Sequence, residues 1–226
     1  MDIVNTHEKT IIHQTMLAEK DVRGGLVYRI IKRIIDISLA IVGLICLFPV
    51  LIIVALLIKS ENMKGSVLFS QIRIGKKGKA FKLYKFRSMV IDAEEKLEDL
   101  VYLNEVTGAM FKIKEDPRVT RVGKIIRRTS IDELPQLWNV LLGEMSIVGP
   151  RPPLPREVEI YTTFQKQRLL VTPGCTGLWQ VRGRSNLNFD KMVELDLYYI
   201  QKRSVWLDMK IIVVTVFQVL MRRGAF

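Results

Sequence analysis

Asp132 and Glu133 are adjacent carboxylates in a stretch otherwise crowded with cations, RRTSIDELPQLWNVLLGEMSIVGPRPP, with Arg127 and Arg128 before them and Arg151 after. Neighbouring acids among arginines can serve as nucleophile, general acid/base or oxygen ligands to a hard cation, and the arginines can hold phosphate. The rest of the chain offers few rival groups. Its two histidines, His7 and His13, fall in a polar N-terminal stretch, which argues against a Ser-His-Asp triad or a His-ligated zinc. Its two cysteines, Cys46 in an apolar run and Cys175 in a Pro-Gly-Cys-Thr-Gly turn, form neither a disulfide framework nor a thiolate zinc site. The same spacing has a purely structural reading. Ser130-Ile-Asp-Glu133 is a capping box, in which Glu133 would reach back to the Ser130 backbone while Asp132 sits in the first helical turn. Spacing alone favours the cap, and the two readings are compatible, because a helix N-terminus among arginines also suits phosphate.

Two downstream turns, Val148-Gly149-Pro150-Arg151-Pro152 and Thr172-Pro173-Gly174-Cys175-Thr176-Gly177, can bring backbone donors and an arginine to an anion. Trp179-Gln-Val-Arg182-Gly-Arg184 adds two cations after a short strand, as clamp or as surface.

The elements that must position these groups are membrane-directed. The 226 residues suffice for one domain with a core, and 35 Lys+Arg against 23 Asp+Glu leave +12, with 49% apolar residues and a mean hydropathy of +0.18. A chain both greasy and basic disfavours disorder and points to an anionic membrane surface, a polyphosphate ligand or nucleic acid. From Ile37 to Ile58 run 22 residues without a charge, about 33 Å as a helix. The run is too long, and too far from the N-terminus, for a cleaved signal. Arg29, Lys32 and Arg33 precede it and Lys59, Lys64, Arg73, Lys76, Lys77 and Lys79 follow, placing both ends on one side by the positive-inside rule. Pro49, near its middle, suits a helix that enters the bilayer, bends and leaves by the same face; the alternative is a kinked transmembrane helix. A second apolar stretch, Ile211 to Met221, is too short to span and reads as an interfacial or a core helix.

Residues 1–25 read as a mobile lead, residues 26–60 as a re-entrant membrane helix and residues 61–226 as a cytosolic catalytic domain with interfacial helices. Within that domain, residues 67–87 predict a hairpin around Gly75-Lys-Lys-Gly78, with eight cations and no acid between Asn62 and Ile91, most of the lysines expected to face lipid phosphates. Residues 92–103 predict an acidic solvated helix. Arg118, Arg121, Lys124 and Arg127 predict one face of a basic amphipathic helix with Val119, Val122, Ile125 and Ile126 opposite.

Taken together, KRIIDISLAIVGLICLFPV, SVLFSQIRIGKKGKAFKLYKFRSM, DPRVTRVGKIIRRTSIDELPQLWNVLLGEMSIVGPRPP, VTPGCTGLWQVRGR and ELDLYYIQKRSVWLDMKIIVVT resemble the bacterial sugar transferases, the monotopic polyprenyl-phosphate phosphoglycosyl transferases. The match runs in order over about residues 27 to 223 and turns the balance on the Asp-Glu pair toward catalysis. The resemblance implies a predominantly helical α+β monotopic protein with one re-entrant helix, a small β-hairpin and interfacial amphipathic helices, on the cytoplasmic face of the bacterial inner membrane. It implies transfer of a sugar 1-phosphate from a UDP-sugar to undecaprenyl phosphate with release of UMP, initiating exopolysaccharide, capsule or glycoconjugate synthesis. By the same match Asp132 would be the nucleophile forming a covalent phosphosugar aspartate, with an ionised carboxylate favoured by its arginines. Glu133 would bind Mg2+ and assist acid/base steps, with Asp132 as a second metal ligand. Arg127, Arg151, Arg184 and Lys85 would hold phosphate. Some relatives place Ser before the helix-breaking Pro where this chain has Phe48-Pro49, so the break rests on Pro49 and its basic flanks.

The expected partners are therefore a UDP-sugar, undecaprenyl phosphate and an anionic phospholipid membrane, with no nucleic acid; a homo-oligomer stays open, as does the sugar. Two other classes compete: a membrane-bound glycosyl transferase releasing UDP, and a non-enzymatic basic membrane-anchored module. The module accounts for +12 but not for an Asp-Glu pair framed by arginines.

Overall fold

The computed structural model describes residue 17, residues 22–104, residue 113, and residues 115–183 and 187–221. Its first element, α1 (Leu26–Glu61), is 36 residues of apolar sequence, about 54 Å at 1.5 Å per residue, and continues as helix through Pro49. Among the described residues it alone is long and apolar enough to cross a membrane. Only Asp36, Ala40, Val54 and Ile58 of this helix are buried, while Ile45, Phe48, Ile53 and Leu56 stand open. So large an uncovered apolar face needs lipid rather than water.

Next come β1 (Leu68–Ile74) and β2 (Ala80–Phe86), the hairpin expected from the sequence, paired antiparallel with Phe69 opposite Lys85 and Arg73 opposite Phe81. Its turn is closed by Gly75 N donating to Lys79 O at 2.8 Å, with Lys77 in the left-handed region at φ 57°. Its cations do not all face outward. Strand alternation puts Arg73 and Lys85 on the face of Phe81 and Leu83, so Arg73 is buried and Lys85 half-buried, while Lys79 and Lys82 are exposed.

Residues 92–103 are not an α-helix: turns lead into a 3-10 stretch, Glu95–Leu103, with no buried residue. The basic helix is shorter than its pattern, α2 (Arg121–Arg128), begun by Thr120, whose Oγ1 accepts from Gly123 N at 2.9 Å. Arg118 lies before it and is buried, its Nε and Nη2 on the Asp116 carboxylate at 2.9 and 2.6 Å. A β-carbon on Gly123 would meet Ser88 O at 2.0 Å, so only glycine lets α2 approach the chain leaving β2.

After the dyad follow α3 (Gln136–Leu142), β3 (Ser146–Val148), α4 (Pro155–Glu159), α5 (Thr163–Lys166), β4 (Gly174–Thr176), α6 (Leu178–Arg182), α7 (Phe189–Lys202) and α8 (Val205–Leu220). β3 and β4 form a second, parallel two-stranded sheet that the sequence did not announce, with Ser146 opposite Gly174 and Val148 opposite Thr176. A side chain at Gly174 would begin 2.0 Å from Gly149 N, which is why two glycines face each other there.

Three apolar clusters hold these elements. The largest surrounds α7, with Val193, Leu197, Tyr199 and Ile200 packed on Val148, Leu178 and Ile211, and Leu17 and Val22 of the N-terminal stretch also lie against it. The second joins Ala40 of α1 to Leu83, Val140 and Met145. The third joins Val54 and Ile58 of α1 to Phe86 and Ile126. Both halves of α1 thus pack on one body. Helix α8 divides its faces, with Ile211 buried and Trp206, Val213, Val216 and Phe217 exposed.

Candidate active site

Asp132 and Glu133 lie on a single 3-10 turn, Ile131–Glu133, between α2 and α3. The capping box does not form. Ser130 adopts a left-handed conformation (φ 57°) and its hydroxyl makes no cap hydrogen bond, so the chain turns sharply after α2. Glu133 reaches away from Ser130 instead, and Lys85 Nζ donates to its Oε1 at 2.6 Å. Spacing matched a cap, but a cation across the hairpin outcompetes a backbone amide for the carboxylate.

What aims Lys85 is Asn139, fully buried on α3. Its Nδ2 donates to Lys82 O at 2.6 Å and to Glu144 Oε2 at 2.7 Å, and its Oδ1 accepts from Tyr84 N at 3.1 Å. The strand carrying Lys85 is therefore fastened to the helix that follows the dyad. Arg151 is fixed from two sides. Pro150 O accepts from Gly174 N at 2.9 Å, while Pro152 O accepts from Arg73 Nη1 at 3.0 Å and Pro153 O from Ile74 N at 2.9 Å. The two glycine-proline turns noticed in the sequence are thus laced together.

Electrostatics separate the two acids. Burial pushes the Asp132 carboxyl up to about 6, with Glu133 adding to the rise and Lys85 and Arg127 opposing it. The arginines alone would lower it, as the sequence led one to expect, but desolvation wins because no cation comes within ion-pairing distance of Asp132 among the described residues. Burial works to raise Glu133 as well; there the Lys85 ammonium and its hydrogen bond, then Arg151 and Arg73, outweigh it and hold Glu133 below the ordinary carboxylate range. One acid of the pair is a firmly held anion and the other takes up a proton more readily than an ordinary carboxylate.

Arg127, on the last turn of α2, faces this cluster with its Nη1 buried and unpartnered. Asp132, Glu133, Lys85, Arg127 and Arg151 are therefore brought together; Arg184 lies outside the described residues. Arg73 was missed as a site residue. Burial first and then Arg151 bring its guanidinium down to about 10, and Glu133 feels its charge. The register of Arg73 with Phe81 was the available signal. Cys175 packs half-buried beneath the site as an inert thiol, raised by burial and by Glu133.

The donors suit a hard cation. Two adjacent carboxylates, Asp132 and Glu133, are present on one turn. That matches Mg2+, which takes one or two carboxylates and completes its shell with water and substrate phosphates.

The family model of the bacterial sugar transferases matches residues 27–222. The chain is 50% identical over 197 residues to a galactosyl transferase, CpsE, of Streptococcus agalactiae, covering 87% of this chain and 43% of that protein. It is 40% identical over 231 residues to the undecaprenyl-phosphate galactose phosphotransferase of Salmonella typhimurium, covering 100% and 47%. With the exopolysaccharide production protein ExoY of Rhizobium meliloti it shares 39% over 199 residues, covering 86% and 88%. The chain spans less than half the length of the first two of these relatives.

Proposed function

Since the chain belongs to the bacterial sugar transferase family, we propose that it is a membrane-associated phosphoglycosyl transferase, moving a sugar 1-phosphate from a UDP-sugar to undecaprenyl phosphate. The observation that carries this reading is the Asp132-Glu133 turn, ringed by Lys85, Arg127 and Arg151 and holding one acid that no described cation approaches within ion-pairing distance. The Salmonella relative is named for transfer to undecaprenyl phosphate, and a Klebsiella pneumoniae relative, 40% identical over 205 residues, for transfer of glucose 1-phosphate.

In the proposed reaction an oxygen of Asp132 attacks the β-phosphorus of the donor. The bond to the bridging oxygen breaks and UMP leaves with that electron pair. A phosphate oxygen of the lipid acceptor then attacks the same phosphorus, the bond to Asp132 breaks, and a diphosphate-linked sugar departs with the carboxylate restored. Dividing the exchange lets one site meet a water-soluble donor first and a lipid acceptor second. Arg127 and Arg151 would bind the diphosphate and lower the cost of charge accumulating on it, and Lys85 keeps Glu133 ionised and oriented. Asp132 and Glu133 would hold Mg2+, which supplies charge neutralisation at the phosphates. Exopolysaccharide, capsule or glycoconjugate initiation follows as the role.

The membrane arrangement supports the same reading. At one end of α1, Asp36 Oδ1 accepts from Ile147 N at 2.9 Å; at the other, Glu61 Oε1 accepts from Arg121 N at 2.8 Å. A helix whose two ends hold one globular body fits re-entrance from the cytoplasmic face better than a straight crossing, with α8 lying in the interface. Cysteines introduced as Arg29→Cys and Lys64→Cys should both label from the cytoplasmic side of sealed vesicles, and labelling from opposite sides would rule out re-entrance.

Incubation of the purified chain with undecaprenyl phosphate, Mg2+ and a panel of UDP-sugars tests the chemistry. UMP released with one sugar, abolished by chelator and by Asp132→Asn, is the expected result. Release of UDP would make it a sugar-only transferase, and undiminished turnover by Asp132→Asn would remove the aspartyl intermediate.

A further inference from the structure

A cavity of about 180 Å³ lies between the first turns of α1, the hairpin turn, β3 and the junction of α7 with α8. Its wall carries Arg29, Lys32, Arg33, Lys76 and Arg203 against one carboxylate, Asp36. Lys32 is paired, its Nζ 3.1 Å from Asp208 Oδ2 and 4.0 Å from Asp36 Oδ1. Among the described residues, the other four cations have no acid within ion-pairing distance. Arg33 donates to Val140 O and Leu141 O at 2.6 and 2.8 Å. Arg203 donates to Arg23 O and lies over the Tyr28 ring at 5.4 Å. No described carboxylate comes within ion-pairing distance of Arg29 or Lys76. Burial, then the like charges of Arg203, Arg29 and Lys77, hold the Lys76 ammonium below its ordinary range. Like charges around one hollow repel, and an anion placed among them converts that repulsion to attraction.

We propose that this cavity is a second anion site, which takes the phosphate of an anionic phospholipid headgroup. The floor is already built: Tyr28 Oη and Tyr199 Oη donate to the two oxygens of Asp208 at 2.8 and 2.7 Å, so no side chain on that floor must reorganise to receive a ligand. The surroundings are amphiphilic. Leu26, Val27, Ile30 and Ile34 are exposed on α1 beside Arg29, and on α8 the exposed Trp206 ring carries Lys210 Nζ at 5.1 Å. Cations flanked by apolar residues and an aromatic ring match a phosphate that has acyl chains attached.

Size and place exclude the reacting phosphates. At about 180 Å³ the cavity is smaller than the roughly 300–1,000 Å³ of sites for drug-sized ligands, so a nucleotide sugar does not fit. None of its lining residues belongs to the Asp132 cluster. Lys76 sits at the hairpin turn, whereas Lys85 lies five residues beyond Ala80 along β2, about 17 Å of strand. The site therefore seats the globular part on its bilayer rather than feeding the reaction.

The test is the melting temperature of the full chain in a neutral detergent with added phosphatidylglycerol, phosphatidylcholine, undecaprenyl phosphate or inorganic phosphate. Phosphatidylglycerol should raise it by a few degrees over phosphatidylcholine. The double substitution Arg29→Gln and Lys76→Gln, at two exposed positions, should remove most of that rise while leaving the value in phosphatidylcholine unchanged. Arg29→Lys with Lys76→Arg, which keeps both charges, should retain it. A phosphatidylglycerol effect that survives the neutralising pair would overturn the site. So would a charge-dependent rise produced by undecaprenyl phosphate or inorganic phosphate but not by phosphatidylglycerol.

Discussion

Two buried aspartates with arginines nearby, both raised by burial, differ in whether a cation pairs with them. Asp196, on α7, is fully enclosed and its Oδ2 receives Arg168 Nε at 2.8 Å and Nη2 at 2.7 Å, while the same guanidinium faces the Tyr161 and Phe189 rings. Asp132 is almost as buried, yet Arg127 keeps its Nη1 unpartnered and the nearest ammonium goes to Glu133. In the first the aspartate is ion-paired by a guanidinium, although burial still raises its carboxyl and its Oδ1 stays without a partner, and the region around it is scaffold. In the second it is left open, which weakens the fold locally and leaves cations and an acid available to a ligand.

The largest effect that separates the two is on rate. Asp132→Asn should lower turnover on the order of 10⁴-fold or more, the scale of losing a covalent nucleophile, whereas Asp196→Asn should leave the kcat of the folded fraction within a few-fold. Comparable kcat losses from both would dissolve the distinction. On stability the ranking reverses. Arg168→Met strands the Asp196 charge and should cost about 3–5 kcal/mol in denaturant titration, and adding Asp196→Leu should restore most of it. Asn139→Ala tests whether the open site depends on closed neighbours: leaving Lys82 O and Tyr84 N without their partner should cost about 2–3 kcal/mol and lower kcat as Lys85 loses its aim.

Asp116 is more completely paired than Asp196. Burial works to raise its carboxyl, but the bonds and charge of Arg118 hold it below the ordinary range. Its contribution is therefore present above about pH 4 and lost as pH falls further, so Asp116→Asn should cost about 1–2 kcal/mol at pH 7 and almost nothing at pH 2. The smallest effect is a gain. Measured at pH 7 in chelator, Asp132→Asn should stabilise the chain by about 1 kcal/mol, because an uncompensated buried charge is gone. A lower melting temperature would mean that Asp132 is a structural acid after all.

Much of this was legible because it is local or strongly periodic: the charge-free run within α1, the hairpin around Gly75-Lys-Lys-Gly78, and the acid pair among arginines. What escaped depends on partners far along the chain. Ser130 to Glu133 has the spacing of a cap, and nothing in four residues reveals that Lys85, 48 positions earlier, claims the glutamate. Arg118 carries the three-residue rhythm of the basic helix but is captured by Asp116, two residues before it. Arg73 counted as one more cation of the basic hairpin until its register with Phe81 turned it inward. The β3–β4 sheet pairs strands of three residues each across 28 positions, too short and too distant to show as alternation.

Helix α1 supplies one wall to two of the three apolar clusters, Ala40 to one and Val54 with Ile58 to the other. In the chain α1 precedes the residues of these two clusters that it packs against, and so leaves the ribosome before them. Insertion into lipid then comes first and assembly of the globular part second, with the anchored helix serving as the template on which Leu83, Phe86, Ile126 and Val140 condense. Detaching α1 to obtain a water-soluble fragment would remove part of the core along with the apolar helix. The remaining residues, released without their template, would aggregate instead of yielding a soluble fold.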